Sequence, residues 1–214
     1  TMDRTFQIVD ISSDDYEGPE GMEFVVTLYG IEPTGERLVC HVRKCRPYFF
    51  LKIPDTWSKA MAKRLLSEIT GYWNKTPQRL GKRSYLGEIH QLTLVTDYDF
   101  YGCHYVPDQK KVKPFQFLKI VCTTHRALKQ MVQAIKEYYG SHKPKASAQK
   151  SLTEWLQVET TLNCDSHLYE ASLPPVIRFI HDSQIDPTGW VTVTPTSSSQ
   201  ALETGLFPRE LTVN

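Results

Sequence analysis

Residues 48–69 read YFFLKIPDTWSKAMAKRLLSEI, and the change of hydrophobic period inside them decides the fold. Tyr48 to Ile53 is apolar on both faces at period 2, which predicts a strand whose two sides are both at least partly covered. Tyr48, Phe50 and Lys52 share one face; Phe49, Leu51 and Ile53 share the other. Pro54 ends the run, and Asp55 is placed to cap a helix in which Trp57, Met61, Leu65, Leu66 and Ile69 form a buried stripe that stops near Gly71. Strand followed at once by helix is the start of a layered α+β unit.

Working outward, Glu88 to Tyr101 reads as a long strand, Pro107 to Pro114 as a lysine-rich turn and Phe115 to Cys122 as another strand. Phe115, Phe117 and Lys119 alternate with Leu118 and Ile120, the latter predicted to face helices. Thr123 or Thr124 caps a second helix with Leu128, Met131, Val132, Ile135 and Tyr139 on one side, ending at Gly140. With a last strand expected at Trp155 to Leu162, residues 47–162 give the βαββαβ order of ferredoxin-like and RNA-recognition-motif-like modules. Upstream, Phe6 to Ile11 reads as an edge strand leading into an acidic loop through Gly21. Phe24 to Tyr29 and Arg37 to Val42 form a hairpin across Glu32-Pro33-Thr34-Gly35. Downstream, Ser172 caps a helix that tolerates Pro174 and Pro175 in its first turn and buries Val176, Ile177, Phe179 and Ile180. Pro187 and Gly189 then break the chain before a strand from Trp190.

The formal net charge of +1 conceals a partition. Residues 1–40 carry two basic and nine acidic side chains, residues 41–150 carry twenty-one against seven, and residues 151–214 carry two against eight. A basic centre fits contact with a phosphate backbone, or equally pairing with the acidic flanks. No apolar run reaches the roughly 20 residues that span a bilayer, so a soluble, intracellular protein without a membrane partner is expected. Five cysteines with no CxxC pair read as reduced thiols. Cys40, His41, Cys45, Cys103 and His104 lack the paired spacing of a zinc site. Asp97 and Asp99 share a strand face but read as a solvated strand end. Scattered histidines offer no hydrolase triad, and no glycine-rich phosphate loop occurs. No catalytic residue and no metal ligand is assigned.

Three segments in chain order carry a family resemblance. LYGIEPTGERLVCHVRKCRPYFFLKIP at 28–54, FYGCHYVPDQKKVKPFQFLKIV at 100–121 and LYEASLPPVIRFIHDSQIDPTGWVTV at 168–193 resemble the N-terminal region of family B DNA polymerases of the delta and large-DNA-virus type. The resemblance implies an OB-like β-barrel, formed by residues 1–46 and 163–214 packing together, beside the module at 47–162. It also implies a parent enzyme that uses Mg²⁺ and deoxynucleoside triphosphates, while this fragment holds no cofactor. The family's Asp-x-Glu exonuclease strand and its Ser-Leu-Tyr-Pro-Ser and Tyr-Gly-Asp-Thr-Asp motifs are absent from their settings; Asp15 and Glu17 have the first spacing in a polar loop. The fragment itself is therefore expected to be inactive, with polymerisation and 3′ to 5′ proofreading elsewhere in the parent.

Candidate nucleic-acid contacts follow from the two central strands and their loops. Tyr48, Phe50 and Phe117 are placed to stack bases, with Lys52 and Lys119 beside them. Arg43, Lys44 and Arg46, and Lys110, Lys111 and Lys113, are placed to meet phosphates. The expected partners are single-stranded DNA template, the exonuclease and polymerase domains of the same chain, and a processivity factor. The expected location is the nucleus or a cytoplasmic replication site of an infected cell. The rival readings are a stand-alone single-strand or RNA-binding module and a purely structural interaction domain.

Overall fold

The computed structural model describes residues 3–18, 20–79, 81–97, 114–141, 168–194 and 209–213. The chain divides into two compact units. The first is Thr1–Pro47, Thr123–His125 and Leu173–Asn214; the second is Tyr48–Cys122 and Arg126–Ser172. The architecture is α+β with mostly antiparallel sheets. The expected strand at Trp155 to Leu162 lies outside the described residues.

In the second unit, strand β4 (Tyr48–Ile53) is followed by helix α1 (Lys59–Lys75), β5 (Ile89–Asp97), β6 (Phe115–Cys122), helix α2 (His125–Ser141) and the two-residue β7 (Leu168–Tyr169). The sheet order is β5-β6-β4-β7, all pairs antiparallel. Burial along β4 alternates without a break: Phe49, Leu51 and Ile53 are buried, while Tyr48, Phe50 and Lys52 are half-buried. The buried set packs with Leu118, Ile120 and Cys122 of β6 against Leu65, Leu66, Ile69 and Trp73 of α1 and Leu128, Met131 and Ile135 of α2. Burying each such large side chain contributes about 1.5–3 kcal/mol, so one sheet face and two helix stripes define this core.

Two helix boundaries differ from the sequence reading. Ser58, not Asp55, caps α1, its Oγ accepting from the Met61 N–H at 3.4 Å. The helix then runs through Gly71 to Lys75. A glycine in a helix interior costs roughly 1 kcal/mol, and burial of Trp73 one residue pair further on offsets it.

The first unit is an open sheet, half of a barrel, in the order β8-β1-β2-β3-β9. Among the described residues its strands are β1 (Arg4–Gly18), β2 (Gly21–Ile31), β3 (Arg37–Val42), β8 (Trp190–Val193) and β9 (Arg209–Val213), and of their pairings only β3 with β9 runs parallel. Phe6, Ile8, Phe24, Val26, Leu28, Leu38 and Cys40 form its core, with Phe179 and Ile185 packed against them. β1 is no edge strand, because it lies between β8 and β2. Nor does it end at Ile11: Ser12 to Gly18 continue the ladder opposite Thr27 to Gly21. The apolar β2 needs a hydrogen-bonded neighbour along its whole length, and a polar strand satisfies that through its backbone alone. At Gly30 the chain comes so close that an added Cβ would sit 2.1 Å from the Phe6 ring.

Helix α3 (Pro175–Ser183) has no side-chain cap; Pro174 precedes it and Ser172 plays no capping part. Its register also differs from the predicted stripe, with Arg178 only 6% exposed and Ile177 50% exposed. The helix ends in a Schellman arrangement: Gln184 is left-handed at φ 52°, and the Ile185 N–H reaches the Ile180 carbonyl at 3.3 Å.

Candidate nucleic-acid interface

The face of the second unit's sheet turned away from α1 and α2 gathers the aromatic candidates. Register places Phe50 opposite Lys119 and Lys52 opposite Phe117, while β7 sets Tyr169 opposite Phe50. The rings pack edge to face: Tyr48 with Phe50 at 5.6 Å, Phe50 with Phe117 at 6.4 Å, and Phe117 with Tyr169 at 5.2 Å between centroids. Such pairs contribute about 0.5–1.5 kcal/mol each beyond area burial and hold the rings in one geometry. The Lys119 ammonium sits 3.7 Å above the Tyr48 ring, and that of Lys52 sits 3.4 Å above Phe115. Both lysines thus lay apolar stems on the aromatic surface and hold a positive charge over it.

The five candidates Tyr48, Phe50, Lys52, Phe117 and Lys119 therefore share one surface, but not on equal terms. Phe117 is only 5% exposed and flanked by Phe50 and Tyr169, so its ring serves packing and offers no face to a base. Tyr48 and Phe50 are half-buried. Tyr169 is the member that period-based reading misses, because a two-residue strand has no period to detect.

Arg43, Lys44 and Arg46 lie in the first unit and do not act as one cluster. The Arg43 guanidinium is ion-paired with Glu23, its Nε donating at 2.8 Å. Lys44 is exposed, in left-handed backbone at φ 60°. Arg46 is half-buried, and its Nη1 has no hydrogen-bond partner. It lines a cavity of about 300 Å³ together with Arg43, Pro47, Pro175, Arg178 and Asp182. Lys110, Lys111 and Lys113 lie outside the described residues.

Of the thiol and histidine candidates, Cys40, His41 and Cys45 are described, while Cys103 and His104 lie outside the described residues. Cys40 points into the first unit's core, and its neighbour His41 shares a hydrogen bond with the Thr27 hydroxyl at 3.1 Å through Nδ1. Among the described residues, no three His, Cys, Asp or Glu side chains converge as a metal site. Burial pushes the Cys40 and Cys122 thiols up to about 12, with the Glu88 carboxylate adding to the effect at Cys122. Burial also raises Cys45 to about 11, against a smaller opposing contribution from the Val26 backbone. The fold therefore favours the neutral thiols. Their stabilising contribution is complete below the ordinary value of 9.0 and is lost as pH rises from there through 11 and 12. We expect all three to resist a thiol-alkylating reagent at pH 8 until the chain is denatured, and urea resistance to fall between pH 9 and 11. Peptide mapping that finds Cys40 fully alkylated in the folded chain at pH 8 would contradict this.

The comparisons with known proteins bear on what such a surface serves. No protein-family model matches the chain. A DNA polymerase of Phaeocystis pouchetii virus is 26% identical over 174 residues, covering 81% of this chain and 15% of the viral protein. The family B DNA polymerase of the hyperthermophilic archaeon Pyrobaculum calidifontis superposes with a TM-score of 0.55 over 98% of this chain, at 18% identity. The chain resembles a family B DNA polymerase N-terminal region. The archaeal likeness is one of fold, and the viral one adds sequence. This polymerase-like chain spans about 15% of the viral relative and 20% of the archaeal one.

Proposed function

We propose that the chain is the N-terminal, non-catalytic region of a family B DNA-directed DNA polymerase, bracing the exonuclease domain and guiding single-stranded template during DNA replication. The observation that carries this reading is the agreement of two independent likenesses, one of sequence over 81% of the chain and one of fold over 98%. The sheet order β5-β6-β4-β7 with α1 and α2 on one face supports an RNA-recognition-motif-like module, and the half-barrel of the first unit supports an OB-like element. Polymerisation, proofreading, Mg²⁺ and deoxynucleoside triphosphates then belong to the rest of the parent, in the compartment where the viral or delta-like replication machinery works. Template is the DNA that this region meets; the exonuclease and polymerase domains, and a processivity factor, are its protein partners.

The test is fluorescence anisotropy of the 214-residue chain with labelled single-stranded DNA, primer-template and RNA over a salt series, beside a nucleotide-incorporation assay. Weak, salt-sensitive, sequence-indifferent DNA binding with no incorporation is expected. Tight RNA-selective binding would replace this reading with a stand-alone module, and incorporation by the chain alone would overturn its non-catalytic role.

A further inference from the structure

The charge of the second unit is segregated in a way that the aromatic platform does not use. Counted over its sequence, that unit carries eighteen basic and eleven acidic residues, net +7, whereas the first carries seven and thirteen, net −6. Within the second unit, segments 59–88 and 126–141 alone hold ten basic residues against three acidic ones. The remainder, including the platform lysines and Lys110, Lys111 and Lys113, is balanced at eight against eight. The whole surplus of the unit thus resides on α1, α2 and the connection after α1.

The three acids of this layer are already engaged by arginines. Glu68 meets Arg64 at 3.2 Å, Glu137 meets Arg79 at 2.9 Å, and Glu88 meets Arg83 at 3.7 Å. Whatever further pairs its cations make, the layer's own acids cannot neutralise its net charge. α1 and α2 both turn their apolar stripes into the same core, so their opposite faces form one helix layer. On it Lys59 and Lys63 stand at i, i+4, and Arg126, Lys129 and Lys136 at i, i+3, i+10, all exposed. The α2 stripe extends roughly 15 Å at 1.5 Å per residue. Exposed like charges at this density repel one another and are screened over about 8 Å at physiological salt, so a polyanion is the partner that relieves them.

We propose that the outer face of α1 and α2 is a docking surface for a nucleic-acid phosphate backbone, engaged without base readout and separate from the aromatic platform. This rests on the proposed polymerase reading for the choice of nucleic acid over an acidic protein segment. The surface carries lysines rather than exposed rings, so it takes single strands and duplexes alike, whereas the ring platform takes only unpaired bases.

The experiment compares Lys63→Glu/Lys129→Glu/Lys136→Glu with the charge-matched Lys110→Glu/Lys111→Glu/Lys113→Glu. Both are titrated with labelled single-stranded and duplex DNA over a salt series, with circular dichroism and urea unfolding to verify the fold. The helix-layer variant is expected to lose at least tenfold in affinity for both DNAs. Its salt slope should flatten by up to about 2 for single strands, at roughly 0.7 for each phosphate no longer neutralised. The Lys110/Lys111/Lys113 variant should lose clearly less. Equal losses in the two variants, or less than twofold in the helix-layer variant, would make the layer an ordinary solvated face. Tighter binding of polyglutamate than of DNA to the unsubstituted chain would overturn the choice of partner. If single-strand binding persists through the platform while the helix variant is silent, this surface fails and the polymerase reading stands; if the unsubstituted chain binds no DNA at low salt, this surface and the template-guiding role both fall and only the bracing role is left.

Discussion

Phe49→Ala will lower the stability of the second unit by about 3–5 kcal/mol, the usual cost of truncating a buried aromatic and leaving a cavity. Phe49 has no exposed surface and belongs to the cluster that joins β4 to α1 and α2. A domain of this size is stable by only about 5–15 kcal/mol, so the substitution removes a large share of the total. Urea unfolding should show the transition of that unit at much lower denaturant, and the effect must exceed that of Phe50→Ala next door. A loss below about 1.5 kcal/mol would mean that the site collapses around the gap, or that the helices do not pack there.

That contrast between adjacent residues is legible in the sequence because β4 is buried completely on one face. A slip of one residue would carry Phe49, Leu51 and Ile53 out of the core together, so alternation pins the register. The same logic serves β6 and the stripe of α1. It fails where an element is held by its backbone: Ser12 to Gly18 look like a loop because their side chains are polar, yet they pair with β2 residue for residue. It fails again at α3, where a count of apolar residues puts Ile177 inside. The helix instead turns Arg178 inward and Ile177 outward, a choice set by packing against the half-barrel and not by hydropathy.

The candidate site is legible to a similar degree and for the same reason. Period 2 assigns Tyr48, Phe50, Lys52 and Lys119 to one face, but says nothing of how deeply each is sunk, so by pattern Phe117 looks as available as Phe50. Tyr169 reaches the platform through two ladder pairs formed from a distant part of the chain, which no local window contains. Charge suffers from the same blindness. Linear segments of the chain mix the two discontinuous units, and the cationic surplus of the helix layer emerges only once residues are assigned to their elements.

Tyr48→Ala and Phe50→Ala are each expected to weaken single-stranded DNA binding by roughly 5- to 150-fold, because a base stacked on an aromatic ring contributes about 1–3 kcal/mol. For a base to lie on Tyr48, the Lys119 ammonium 3.7 Å above that ring must move aside, and a phosphate of the same strand is the natural destination for it. Ring removal should therefore leave the salt slope unchanged, since no ion pair is broken, whereas Lys119→Met should flatten it by about 0.7 with a smaller loss of affinity. Duplex binding should respond to neither ring. Phe117→Leu provides the control: its ring is buried, so it should alter unfolding more than binding. If both ring variants fold normally and bind single strands as tightly as the unsubstituted chain, the aromatic face is packing surface for another domain, and template contact must be sought on the helix layer alone.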